Sequence, residues 1–165
     1  MKRIAPVLVV WLWLVGCQNT EKEPAATEQQ VSASGQADTI VARKEVLSDL
    51  KTLNGQYPAD VRLLDNALLE ERLKTLLGAD YIEFRKYWQT ETPIVVEENV
   101  LSATGCEQHN CGANQYILQV DMQNDNINVY HLGRAPKQYF EKGPISLPPG
   151  LARDFRTLQD NTPVN

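Results

Sequence analysis

Cys106 and Cys111 bracket Glu107-Gln108-His109-Asn110, and a bond between them would confine the chain more tightly than any other feature of the sequence. The chain has three cysteines. The third, Cys17, ends an apolar leader and is expected to be consumed by lipid, which leaves a single short-spaced pair in an exported protein. A disulfide between Cys106 and Cys111 would close a small, stiff loop and present His109 to solvent. Such closure adds little global stability, about 2 kcal/mol on loop-entropy arguments. Its local effect matters more, because ordering entropy lost before binding is not lost again on docking. Two other readings stay open. Cys106, His109 and Cys111, with His131 as a fourth ligand, could hold zinc, although structural zinc sites usually show a clear second pair. A redox dithiol or Cys/His nucleophile would need a free thiol, and redox pairs more often enclose two residues.

The leader supports export. Lys2 and Arg3 precede an apolar run from Ile4 to Val15, too short for a convincing membrane span of about 20 residues. Leu14-Val15-Gly16-Cys17 resembles the lipobox of bacterial lipoproteins. That resemblance implies cleavage before Cys17 and acylation of its sulfur and amine, and Gln18 behind the cysteine favours an outer-membrane anchor facing the periplasm. From Gln18 to about Thr39 the chain is Glu, Gln, Ala, Ser and Thr with hardly a large apolar residue, the composition of a disordered tether. The expected organisation is a signal peptide over 1–16, a tether over 17–40, one domain over 41–158 and a tail over 159–165.

Sixteen basic against twenty-one acidic side chains give a net charge of −5, and loss of Lys2 and Arg3 with the leader makes the mature chain more acidic. That balance disfavours nucleic acid and anionic lipid as partners and suits a basic protein. No cofactor motif stands out, and neither does a nucleophile–base or paired-carboxylate arrangement, so an enzyme is not expected. Glu70-Glu71 and Glu97-Glu98 are neighbours in sequence that would not face each other, and read as solvated surface.

Along the domain the apolar period changes once. Val46, Leu50 and Leu53 recur at helical spacing before Gly55. Asp65 or Asn66 can cap a helix carrying Leu69, Leu73, Leu76 and Leu77, and Asp80 can cap another with Tyr81, Phe84 and Trp88. These stripes read as core. Pro93 closes the helical half. Ile94–Val96, Val100–Leu101, Tyr116–Val120 and Ile127–Tyr130 read as strands, with Glu98-Asn99 and Gln123–Asn126 as turns. Gly133 to Gly150 is loop-rich, and Leu151 to Leu158 can form a short final helix. Helices first and strands after predict an α+β fold, N-terminal helices followed by an antiparallel sheet, with the cysteine loop protruding between two strands.

The run from Gly105 to Gly112, followed by the strand Tyr116 to Asp121, resembles the Ivy family, the inhibitors of vertebrate (chicken-type) lysozyme. The order of elements from Leu47 to Leu132 is similar as well. In that family a disulfide-closed Cys-Lys-Pro-His-Asp-Cys loop enters the lysozyme cleft, and its histidine meets the two catalytic carboxylates. The resemblance implies that His109 is the key residue, that Cys106 and Cys111 close its loop, and that Glu107, Gln108 and Asn110 contact the partner, a lysozyme-type hydrolase. An imidazole can bridge a protonated and an ionised carboxyl and carry a compensating proton. Lysozymes of this type are basic, so an acidic inhibitor is steered toward them. Three loop positions depart from the family: Glu107 replaces Lys, Gln108 replaces Pro and Asn110 replaces Asp. Glu107 beside an acidic cleft is expected to be repelled unless it reaches a rim Arg or Lys, so Glu107→Lys is expected to tighten binding. A second function class stays open beside inhibition: an envelope lipoprotein using the same scaffold as a binding or assembly module.

Overall fold

The computed structural model describes residues 46–133 and 135–162. The expected leader, Cys17 and the tether lie outside the described residues.

The first segment, Leu47–Leu53, is a 3-10 helix that buries Leu47 and Leu50. Val46, expected on that buried face, is 45% exposed, because the tighter 3-10 turn shifts the apolar face by one residue. Asn66 then caps α1 (Ala67–Leu77), its side chain accepting from the Leu69 amide at 3.0 Å. Leu69, Leu73 and Leu77 stack along one side at i, i+4 and i+8 and are buried. A turn over Gly78–Asp80 leads into the short α2 (Tyr81–Tyr87), where Phe84 is fully buried. Asp80 makes no cap hydrogen bond here. Its carboxylate accepts instead from Lys137 Nζ at 2.9 Å and from the Tyr139 hydroxyl at 2.5 Å, pinning the start of α2 to the sheet.

The strand half begins earlier than Pro93. β1 (Thr90–Glu91) and β2 (Val95–Glu97) share one edge of β3 (Val100–Cys106). β3 pairs with β4 (Asn114–Asp121), β4 with β5 (Asn126–Gly133) and β5 with β6 (Lys137–Phe140), all antiparallel. β6 lies in the stretch expected to be loop. α3 (Pro149–Asp160) closes the domain and runs two residues past the expected Leu158.

The antiparallel sheet is covered on both faces. One face carries Leu101, Ala103, Tyr116, Leu118, Val120, Ile127 and Val129 in register and packs on α1 and α2 with Phe84. The other carries Ile117, Tyr130 and Leu132 beneath Phe155 and Leu158 of α3. A third small cluster joins Val100 to Ile145 and Leu151. Double coverage buries all eight residues of β5. Glu97, read as solvated surface, accepts from the amides of Gly150 and Leu151 at 3.2 and 2.9 Å and so caps the start of α3. Glu70 pairs with Lys74 at 2.7 Å on the exposed side of α1.

Candidate functional site

β3 runs without interruption into Cys106, and β4 starts at Asn114, so the sheet holds both ends of the segment between them. Cys106 and Cys111 are joined by a disulfide, their Cα atoms 4.9 Å apart. With both sulfurs in that bond, neither is available as a thiolate for zinc or for nucleophilic chemistry. Among the described residues no group of three His, Cys, Asp or Glu side chains is placed to hold a metal ion.

Backbone hydrogen bonds shape the loop further. The Glu107 amide donates to the Asn114 carbonyl at 3.0 Å, which continues the β3–β4 ladder by one rung. The Asn110 amide donates to the Glu107 carbonyl at 3.0 Å and closes a four-residue turn. Ala113 and Asn114 both donate to the Asn110 carbonyl, at 3.0 and 3.2 Å. His109 occupies the third position of the turn with φ of +63°, the left-handed region that favours Gly or Asn. Such a conformation costs an imidazole-bearing residue about 1 kcal/mol, and the surrounding bonds and disulfide hold it there. Gln108, His109 and Asn110 are all exposed.

Glu107 is engaged inside the loop. Its Oε2 accepts from the side-chain amides of Asn110 and Asn114, each at 2.6 Å. These two donors, Asn114 first and Asn110 second, hold the Glu107 carboxyl below the usual carboxylate range.

Support also arrives from α2. Gln89, two residues past its end, donates its backbone amide to the Cys106 carbonyl at 3.0 Å. Its Oε1 accepts the Gln108 amide at 3.1 Å, and its Nε2 donates to the Lys86 carbonyl at 3.0 Å. The Trp88 ring lies against Gly105, where a Cβ would stand 2.3 Å from Cδ2, so only glycine lets the ring cover the strand at the loop's base. Trp88 Nε1 donates to Glu91 at 3.0 Å, and Phe84 meets the rings of Trp88 and Tyr116 edge-on at 5.2 and 5.4 Å. His131 is not part of the loop. It is buried and stacks on Tyr116 at 4.3 Å, its Nε2 has no hydrogen-bond partner among the described residues, and burial holds its imidazole below the usual range.

The structure therefore brings Cys106, Glu107, Gln108, His109, Asn110 and Cys111 together in one braced loop. Sequence reasoning missed Gln89, Asn114 and Trp88 as its supports. The spacing of Trp88 marks it only as core, and no local pattern singles out the other two.

The site defined by the fold is thus an exposed, cross-linked loop anchored at both ends in the sheet of an α+β domain. The chain belongs to the Ivy family: residues 68–161 match the family model described as inhibitor of vertebrate lysozyme. That match runs from α1 through α3 and includes the whole loop. The family is one of inhibitors, not of enzymes. No curated protein and no solved structure matches the chain.

Proposed function

We propose that this domain inhibits a lysozyme-type peptidoglycan hydrolase by placing the Cys106–Cys111 loop in its cleft, with His109 between the two catalytic carboxyl groups. One observation carries the reading: His109 stands exposed on a disulfide-closed turn, in a strained backbone conformation that the surrounding bonds impose. Strain of this kind collects where a binding geometry is set in advance. A retaining glycosidase holds its acid and its nucleophile about 5 Å apart, a gap that one imidazole can span through its two ring nitrogens. Gln108 and Asn110 flank His109 on the exposed turn and line the same contact.

The test is lysis of a peptidoglycan suspension by chicken-type lysozyme in the presence of the protein. The parent inhibits at micromolar concentration or below. His109→Ala weakens inhibition by about thirtyfold or more, the cost of truncating a buried hydrogen-bonding anchor at an interface. Absence of inhibition by the disulfide-intact parent discards the reading for that enzyme and leaves an envelope binding or assembly module in its place.

The same proposal places the domain at the outer membrane on the periplasmic side, anchored by lipid on Cys17, on the support of Leu14-Val15-Gly16-Cys17. Cys17→Ser releases the protein from the membrane fraction or leaves its leader uncleaved. A mutant that still fractionates with the outer membrane, processed like the parent, contradicts the anchor.

A further inference from the structure

We infer that Glu107 is a positioning residue that shapes the loop from within, rather than a charge that the partner reads. The inference rests on the proposed loop reading for its consequence in binding, but not for the geometry.

The Glu107 carboxylate reaches across its own loop. Asn110 lies three residues on and Asn114 seven, and both amides end on the same oxygen at 2.6 Å. Asn110 is the residue whose backbone amide closes the turn under His109, and Asn114 opens β4. The carboxylate thus joins the turn to the first residue of the return strand. It crosses a longer span than the disulfide, which joins residues 106 and 111. Gln108 occupies the position where a proline would have stiffened the turn, so side-chain ties supply the stiffness that ring geometry does not. A carboxylate aimed at an incoming protein would need its acceptor sites turned outward. Here the oxygen Oε2 is filled by two donors of the loop itself. Both donors favour the ionised form and so hold the proton affinity of Glu107 low.

The sequence-based expectation and this geometry give opposite signs for one substitution. If the partner's acidic cleft repels Glu107, then Glu107→Lys tightens binding, Glu107→Gln lies between, and the gain shrinks with added salt. If Glu107 positions the loop, the ordering changes. A glutamine side chain at this position keeps a carbonyl oxygen in place of Oε2, so Glu107→Gln stays within about threefold of the parent. Glu107→Ala and Glu107→Lys remove the acceptor and weaken inhibition by about tenfold or more, with little dependence on salt. Asn114→Ala removes one strut from the other end, and the double variant Glu107→Ala with Asn114→Ala is no worse than Glu107→Ala alone.

The experiment uses the full chain with its disulfide intact and has two arms. In the first, inhibition of chicken-type lysozyme is measured for these variants at low and high salt. In the second, with no partner present, hydrogen exchange is followed at the Asn110 and Ala113 amides, whose bonds define the turn. The inference expects faster exchange in Glu107→Ala and Glu107→Lys and near-parental exchange in Glu107→Gln. Unchanged exchange in all variants overturns it, and so does tighter, salt-sensitive inhibition by Glu107→Lys. If even the parent fails to inhibit lysozyme, the proposed function fails, and the exchange arm still decides the role of Glu107.

Discussion

His109 carries two separable costs and benefits. Its side chain is exposed and contributes little to the fold, while its backbone sits at φ of +63°. Glycine adopts that conformation freely but loses more entropy on folding, so His109→Gly leaves stability unchanged or raises it by up to about 1 kcal/mol. The same substitution removes the imidazole and, on the proposed reading, weakens inhibition by about thirtyfold or more, as His109→Ala does. Urea unfolding and the lysis assay on one preparation check both, and a loss of more than about 1 kcal/mol would show that the histidine serves the fold instead. The closed loop around His109 was legible in the sequence because Cys106 and Cys111 both lie within three residues of it. Its supports were not. Gln89 bonds to Gln108 across 19 residues, and the Asn114–Glu107 tie depends on a strand register that no local pattern fixes.

At the scale of elements, repetition decided what could be read. α1 announces itself by Leu69, Leu73 and Leu77 and by Asn66 at its cap, all within a dozen residues. Asp80 looks like an equivalent cap, yet Lys137 and Tyr139, distant in sequence, take its carboxylate. β6 has one partner strand, and three of its four side chains are exposed, Phe140 among them, so it lacks the alternation that marks a half-buried strand. The sheet also buries a titratable group, His131, which the sequence offers only as a fourth zinc ligand. Across β3, β4, β5 and β6 runs the row Gly105, Tyr116, His131, Lys137, with His131 stacked on Tyr116. Burial lowers the proton affinity of His131, and Lys137 adds to that, while Glu83 and Asp80 oppose it. The unfolded chain, with an ordinary imidazole near 6.5, therefore takes up a proton before the folded one does. Stability from this group is complete above about pH 6.5 and is lost as pH falls below it toward the folded value. In His131→Phe, which keeps a ring in the stack, that part of the decline disappears. Urea midpoints between pH 7.5 and 5 compare the two proteins; parallel profiles would contradict the assignment.

For the whole molecule, the division of labour is between a scaffold and a tip. Two apolar layers on either side of one sheet fix β3 and β4, and these fix the loop. The family match spans the scaffold and the loop together, residues 68–161, in keeping with a tip whose shape depends on that framework. The net charge of −5 suits long-range attraction to a basic hydrolase, an effect on association rate that added salt weakens. The proposed contact at the cleft is a different matter, because it would be exclusive. A chito-oligosaccharide bound in the cleft of chicken-type lysozyme occupies the space assigned to the His109 loop. Titrating the protein into lysozyme at increasing oligosaccharide therefore tests the central claim most directly. Its apparent Kd rises in proportion to the factor by which sugar depletes free cleft, about a hundredfold when sugar stands at 100 times its own Kd. An affinity unchanged by saturating sugar would place any binding outside the cleft and contradict the insertion of the loop.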